Sequence, residues 1–250
     1  MKFNLKDFKR FEKQIILKKI GISGQKKIKN SKVLVIGMGG LGCPLVTYLA
    51  SAGVCNIGIV DHDKVELSNL SRQTLFNLND IGKFKVNQAK VKIKKIYNEI
   101  KIKIFKEKIL NENINKILKN YDIICDGTDN FDSRYLINDH CLQYKKRLIS
   151  AAISKFDGQI FNFDFKKKIP CFRCFVPEAP AIDNNCESEG VMSTLAGIAG
   201  TLQANEVIKS ILNYKNDLFG KILIFNSLTL NFRKVKFNRN KDCIKICTKK

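Results

Sequence analysis

The sequence contains no long uncharged apolar run, and this excludes a helix that crosses a membrane. Its first residues, MKFNLKDFKRFEKQIIL, are charged and periodic, with no apolar core leading to small residues at a cleavage site. No secretory signal is therefore read there, and a cytoplasmic protein is expected. Repeats and Pro/Gly-rich linkers are also missing, so residues 1–250 are expected to form one domain. Histidine is nearly absent, with two in the chain, and only His62 lies near the glycine-rich stretch described below. His62 reads as a loop residue with no assigned role. Acidic residues are scarce too: 23 Asp and Glu stand against 45 Lys and Arg, a net charge of +22. The lysines are scattered among Ile and Asn, which fits a compositional bias on a solvated surface better than a nucleic-acid-binding stripe. The alternative is a basic surface attracting an acidic partner or a polyphosphate. Nine cysteines in a chain of this kind do not suggest a secreted disulfide scaffold.

What is present begins at Lys32. Residues 32–73 read KVLVIGMGGLGCPLVTYLASAGVCNIGIVDHDKVELSNLSRQ. An apolar strand (Val33 to Ile36) runs into Gly37, Gly39, Gly40 and Gly42. A helical segment follows, then a second strand, Ile57 to Val60, ending at Asp61. Strand, glycine turn, helix, strand and acid make the first unit of a nucleotide-binding α/β domain, in which the acid sits where a ribose hydroxyl would be held. The same turn serves NAD, FAD and ATP.

Around this unit, residues 7–20 have the spacing of an amphipathic helix outside the sheet, punctuated by Gly21 and Gly24. After the polar stretch beyond Asp61, helices are expected at 86–97, 110–119 and 130–144. Strands are expected at 100–105, 121–125 and 147–153. This alternation argues for a doubly wound, mostly parallel, Rossmann-like sheet. The pattern then changes to antiparallel-type strands at 158–165, 221–226 and 230–237. A cysteine- and proline-bearing loop at 170–190 precedes a long helix at 191–212, where Gly197 and Gly200 permit close packing. The expected division is an N-terminal helical arm (1–30), a nucleotide-binding core (31–155) and a C-terminal region (156–250).

Asp63, Asn69, Arg72, Gln73 and Lys85 follow Asp61 on the loop at the carboxyl edge of the sheet, where ligands bind in such folds. Asp129, at the end of the fourth strand, could ligate Mg²⁺ or cap the helix starting at Asn130. Cys43, Cys55, Cys125 and Cys141 lie in apolar segments and read as buried hydrophobes. Cys171 and Cys174 form a CxxC, and Cys243 and Cys247 a CxxxC. The two pairs suggest a structural zinc site, or else reduced thiols or a redox couple. Cys186, in a polar loop, is either a reactive thiolate or a residue without a role.

GMGGLG, VDHDKVELSNLSRQ, Lys85, CDGTDN, PCFRC and Cys186 before EGVM together resemble the ThiF/MoeB/HesA family of ubiquitin-activating-enzyme-like adenylyltransferases. The resemblance is colinear over essentially the whole chain, and SNLSRQ is its most diagnostic part. It implies ATP-dependent adenylylation of the C-terminal Gly-Gly carboxylate of a small ubiquitin-fold sulfur-carrier protein. The carrier would be the small subunit of molybdopterin synthase or, alternatively, the thiamine sulfur carrier. Gly37, Gly39, Gly40 and Gly42 would line the nucleotide. Asp61 would bind the ribose, with Ser68, Asn69, Leu70, Ser71 and Gln73 in the surrounding motif. Arg72 and Lys85 would contact the ATP phosphates, and Asp129, beside Asn130, would hold Mg²⁺. Cys171, Cys174, Cys243 and Cys247 would bind Zn²⁺, and Cys186 matches a position that some members use covalently. Lys13 stands where the family has an Arg that reaches the neighbouring subunit's ATP in a homodimer; the charge is kept and the planar fork is lost. The tail spacing also departs from the family's CxxC. With no rhodanese-like extension in the sequence, a separate protein, a cysteine desulfurase or rhodanese type, would supply sulfur. An NAD-dependent oxidoreductase would leave SNLSRQ and Lys85 unexplained. A non-catalytic scaffold for a ubiquitin-like protein would be favoured if Arg72, Lys85 or Asp129 were missing.

Overall fold

β-Branched runs with apolar residues on both faces build the centre of one eight-stranded sheet. In the computed structural model, which describes residues 3–179, 190–214 and 218–243, β1 is Lys32–Ile36, β2 Asn56–Val60, β3 Lys101–Phe105 and β4 Ile123–Asp126. Strands β5 (Arg147–Ser154), β6 (Asp157–Asp164), β7 (Lys221–Asn226) and β8 (Phe232–Lys236) complete it. The order is β3-β2-β1-β4-β5-β6-β7-β8. The first five strands are parallel, and β5 to β8 are antiparallel. The reversal is local: only Lys155 and Phe156 join β5 to β6, and Lys155 takes a left-handed φ of 52°. A connection this short permits only an antiparallel partner.

Helices cover both faces. Along β1, Val33 and Val35 face the core beneath α3 (Gly42–Ala52) and α4 (Lys85–Ile96), while Leu34 and Ile36 face α5 (Asn111–Leu118) and α6 (Phe131–Gln143). A strand buried on both sides reads as a continuous apolar run. A four-residue helix, α7 (Phe172–Phe175), lies within the cysteine-bearing loop. The long helix α8 (Ser193–Ile211) packs on α3: a Cβ at Gly200 would stand 2.5 Å from the Leu41 carbonyl oxygen. Gly197 differs from expectation, because nothing lies within 4 Å of a Cβ built there. No described helix is long and apolar enough to cross a membrane.

The N-terminal arm is fastened more firmly than its amphipathic pattern suggests. Helix α1 (Leu5–Ile15) stops before the expected end, and Gly21 opens a second helix, α2 (Gly21–Asn30). Asp7 and Lys29 are both buried and paired at 2.5 Å. The Tyr97 hydroxyl donates to the other Asp7 oxygen at 2.7 Å, and Lys29 reaches Glu99 at 3.4 Å. The network ties both arm helices to the segment after α4.

Removing one member strands the rest without water. Lys29→Ala should destabilise the protein by about 3–5 kcal/mol in urea denaturation. Burial alone would raise the Asp7 pKa, but bonds from Lys29, the Asn4 backbone and Tyr97 outweigh it and hold the pKa below its ordinary 3.8. A depressed carboxylate stabilises above its unfolded pKa and loses that contribution as pH falls through the folded value. The stability gap between wild type and Asp7→Asn should therefore narrow as pH drops below 3.8.

Candidate functional site

Strand order creates the site before any side chain does. β1 leads on to β2 on one side and is flanked by β4 on the other, so the loops leaving β1 and β4 diverge and open a crevice at their carboxyl ends. A cleft of about 590 Å³ lies there, lined by the glycine turn, the loop after β2 and the loop after β4. Gly37 has φ 91°, and a Cβ there would meet the Gly127 carbonyl oxygen at 2.8 Å. At Gly42 a Cβ would come within 2.0 Å of the Gly37 oxygen. These two positions require glycine for backbone reasons. Gly39 and Gly40 line the cleft; Gly42 does not, and instead lets α3 start tightly over Gly37.

Asp61 is the hinge between the turn and the loop. Its Oδ2 accepts the Met38 N–H and its Oδ1 the Asp63 N–H, both at 2.7 Å. Burial pushes the Asp61 pKa up, opposed by the Lys85 charge and by those two amide bonds. The side chain still lines the cleft. Asp63 in turn accepts the Lys85 ammonium at 2.9 Å, while its carbonyl accepts the Lys85 backbone N–H at 2.9 Å. Lys85 is thus aimed from the first position of α4 into the cleft, with its stem buried.

SNLSRQ folds as a short 3-10 turn, Leu67–Ser71, followed by Arg72 and Gln73. Ser68, Asn69, Arg72 and Gln73 line the cleft. Leu70 instead packs on the core and Ser71 is exposed, its hydroxyl bonded to the Ser68 carbonyl, so these two hold the turn rather than face the cleft. Gln73 is 3% exposed, and its Oε1 has no hydrogen-bond partner among the described residues. A buried amide oxygen left open at a cleft wall suits a ligand or a water that supplies the donor. Among the described residues the Arg72 guanidinium makes one hydrogen bond, to the Ser68 carbonyl at 3.3 Å.

On the opposite wall the cap reading for Asp129 does not hold. Asn130, not Asp129, caps α6, accepting the Ser133 N–H at 2.9 Å. Asp129 is left exposed at the cleft, touched by the Asn130 amide at 3.2 Å. One exposed carboxylate beside a cleft fits a Mg²⁺ that keeps waters and substrate phosphates as its other ligands. Two residues here were not singled out from the sequence. Buried Asp126 accepts the Thr128 N–H and hydroxyl and the Ser150 hydroxyl, and so fixes the loop. Arg134 donates to the Thr128 carbonyl at 2.7 Å. Their signal was local: Asp126 ends a strand before glycine, and Arg134 lies one helical turn beyond Asn130.

A second constellation lies away from the cleft. The Sγ atoms of Cys171 and Cys174 are 3.8 Å apart, those of Cys171 and Cys243 3.4 Å, and all three lie within 4.8 Å of one another. Thiolates about 2.3 Å from a tetrahedral zinc would stand about 3.8 Å apart, so the sulfurs fit such an ion. Burial opposes ionisation of Cys174, but backbone N–H groups and its neighbouring thiols lower its pKa overall. Burial instead pushes the Cys43 thiol up to about 12, in keeping with an inert core residue. The CxxC turn is clamped to α6: Phe172 N–H donates to Asn138 at 3.0 Å, and Arg173 grips Asp139 through Nε and Nη2 at 2.9 and 2.8 Å. Lys13 is exposed on α1 and does not line the cleft of its own chain. Cys186 and Cys247 lie outside the described residues.

The hinge can be tested directly. Asp61→Ala leaves the Met38 N–H unpaired in a buried position, and should cost about 1–3 kcal/mol of stability in chemical denaturation.

The chain is similar to known proteins in sequence and in fold. The ThiF family pattern matches residues 11–245. A protein named probable molybdopterin-synthase adenylyltransferase, from Porphyra purpurea, is 44% identical over 237 residues, covering 94% of this chain and 62% of its own. Another, from Culex quinquefasciatus, is named adenylyltransferase and sulfurtransferase MOCS3; it is 41% identical over 246 residues, covering 97% and 56%. The chain therefore spans less than two thirds of the length of these relatives. Among solved structures, E. coli MccB with ATP matches with a TM-score of 0.75 at 25% identity, over 87% of this chain and 67% of that one. PaaA matches in fold with a TM-score of 0.80 at 21% identity, over 95% and 76%. From its glycine turn to its cysteine corner, the chain belongs to the ThiF family.

Proposed function

We propose that this protein adenylylates the C-terminal Gly-Gly carboxylate of a ubiquitin-fold sulfur-carrier protein, the small subunit of molybdopterin synthase. The observation that carries this reading is the make-up of the cleft. Asp61, Arg72, Lys85 and Asp129 converge on it, and the one histidine near it, His62, is mostly exposed. A carboxylate nucleophile is ionised at neutral pH and needs no general base. A site of cations, carboxylates and amides therefore suits its attack on the α-phosphorus of ATP, forming the acyl–phosphate bond as the bond to pyrophosphate breaks. Catalysis of this kind rests on positioning and charge stabilisation. The relatives' names support the molybdopterin carrier over the thiamine carrier.

In this mechanism Asp61 orients the ribose, and Gly39 and Gly40 let the phosphates approach the backbone. Arg72 and Lys85 neutralise charge developing on the phosphates, with Asp63 holding Lys85 until substrate competes for it. A Mg²⁺ held by Asp129 would supply further charge neutralisation at the phosphates. Cys171, Cys174 and Cys243, joined by Cys247, would hold a structural Zn²⁺ that fixes the tail to α6. The partners implied are the carrier, a separate sulfur donor and a second copy of this chain, to which Lys13 would be presented. Cys186 stays a candidate for a covalent step in sulfur delivery.

Exchange of labelled pyrophosphate into ATP should require Mg²⁺ and a Gly-Gly-ended carrier. Arg72→Ala should lower its rate by about 10²–10³-fold. Absence of exchange with both the molybdopterin and thiamine carriers would reject the reaction, and exchange with the thiamine carrier alone would reject the pathway. Metal analysis of purified protein should find about one zinc per chain, lost in Cys171→Ser. Metal-free protein with an unchanged urea midpoint would rule the site out.

A further inference from the structure

We infer that the outer edge of β3 is a docking strand for an extended acidic segment of a partner protein. Among the described residues, β3 lies at the end of the sheet and pairs only with β2. The Lys101 N–H donates to the Cys55 carbonyl at 2.8 Å, and the Phe105 carbonyl accepts the Asp61 N–H at 3.2 Å. Odd-numbered residues of the strand therefore turn their backbone groups towards β2. Ile102 and Ile104 turn theirs outward, away from β2, the strand that pairs with β3. An edge of this kind is a template for one more strand.

The surroundings say what that strand should be. A groove of about 500 Å³ opens at the amino ends of β3, β2 and β1, at the opposite end of the strands from the glycine turn, and reaches the start of β3 at Lys101 to Lys103. Lys32, Lys90, Lys94, Lys101 and Lys103 line it. Its one carboxylate, Glu99, is already engaged by Lys29 and the Tyr97 hydroxyl. Lys101 and Lys103 stand two residues apart on an exposed face of the strand, matching the alternate side chains of an added strand. Lys90 and Lys94 stand one helical turn apart on α4. Lysines on an edge discourage pairing with like chains, and the net charge of +22 disfavours a second copy as the occupant. A polyphosphate or nucleic acid would use the lysines but not the outward amides of Ile102 and Ile104. A peptide with carboxylates at alternate positions uses both. The inference is independent of the adenylylation reading, since the groove lies apart from the cleft.

The test uses the whole protein and a fluorescein-labelled peptide of alternating glutamate and valine, followed by fluorescence anisotropy at low salt. Saturable binding is expected. Lys101→Glu with Lys103→Glu should weaken it by at least about tenfold, with the urea midpoint and pyrophosphate exchange unchanged. The same peptide with alternate backbone nitrogens methylated keeps its charge but cannot pair, and should also bind at least about tenfold more weakly. Failure of the unmodified peptide to bind would overturn the inference. Equal binding of the methylated peptide, or displacement by inorganic polyphosphate at equal affinity, would reduce the groove to a non-specific basic patch and overturn it as well.

Discussion

One buried carboxylate sets the geometry of the cleft. Asp61 follows directly on β2, and its oxygens accept amides from the glycine turn after β1 and from the loop that follows. A single side chain thus fixes the distance between two segments that strand pairing alone would leave free beyond Val60. Asp63, held by Asp61 through its amide, continues the chain of constraint to Lys85. The position of Lys85 in the cleft follows from these few charge-assisted bonds, which are shorter and stronger than neutral ones.

The opposite wall is built on the same plan from a different acid. Asp126 is the last residue of β4, as Asp61 is the first beyond β2, and it also spends its oxygens on its own loop and a neighbouring strand. The two carboxylates differ in surroundings. Lys85 approaches Asp61 closely enough to bear on its ionisation, whereas the groups bonded to Asp126 are an amide and two hydroxyls. On each wall a neighbouring carboxylate is left over: Asp63 holds Lys85, and Asp129 is left open because Asn130 caps α6.

Much of this was legible in the sequence because it rests on local patterns. The doubly wound sheet followed from apolar runs spaced by helical segments, and the antiparallel extension from alternation in GQIFNFDF. The glycine turn, Arg72, Lys85 and Asp129 all reach the cleft that the strand order predicts. What stayed hidden depends on contacts between distant segments. The Asp7–Lys29–Tyr97 network joins residues up to 90 positions apart, so the arm read only as an amphipathic helix outside the sheet. Gly197 and Gly200 look alike in sequence, and only the position of Leu41 separates them. Leu70 and Ser71 sit inside a diagnostic motif, but the tight 3-10 turn points them away from the cleft.

Helix α6 gives the two constellations a common part. Its first residues follow directly on Asp129 and Asn130, and its middle holds the CxxC turn through Asn138 and Asp139. A helix of 13 residues is a stiff rod about 20 Å long. A displacement of the sulfur corner would tilt that rod and move the wall of the cleft with it. The corner therefore works as an anchor bolt: although no cysteine among the described residues lines the cleft, its set bears on the alignment of a surface well beyond contact range.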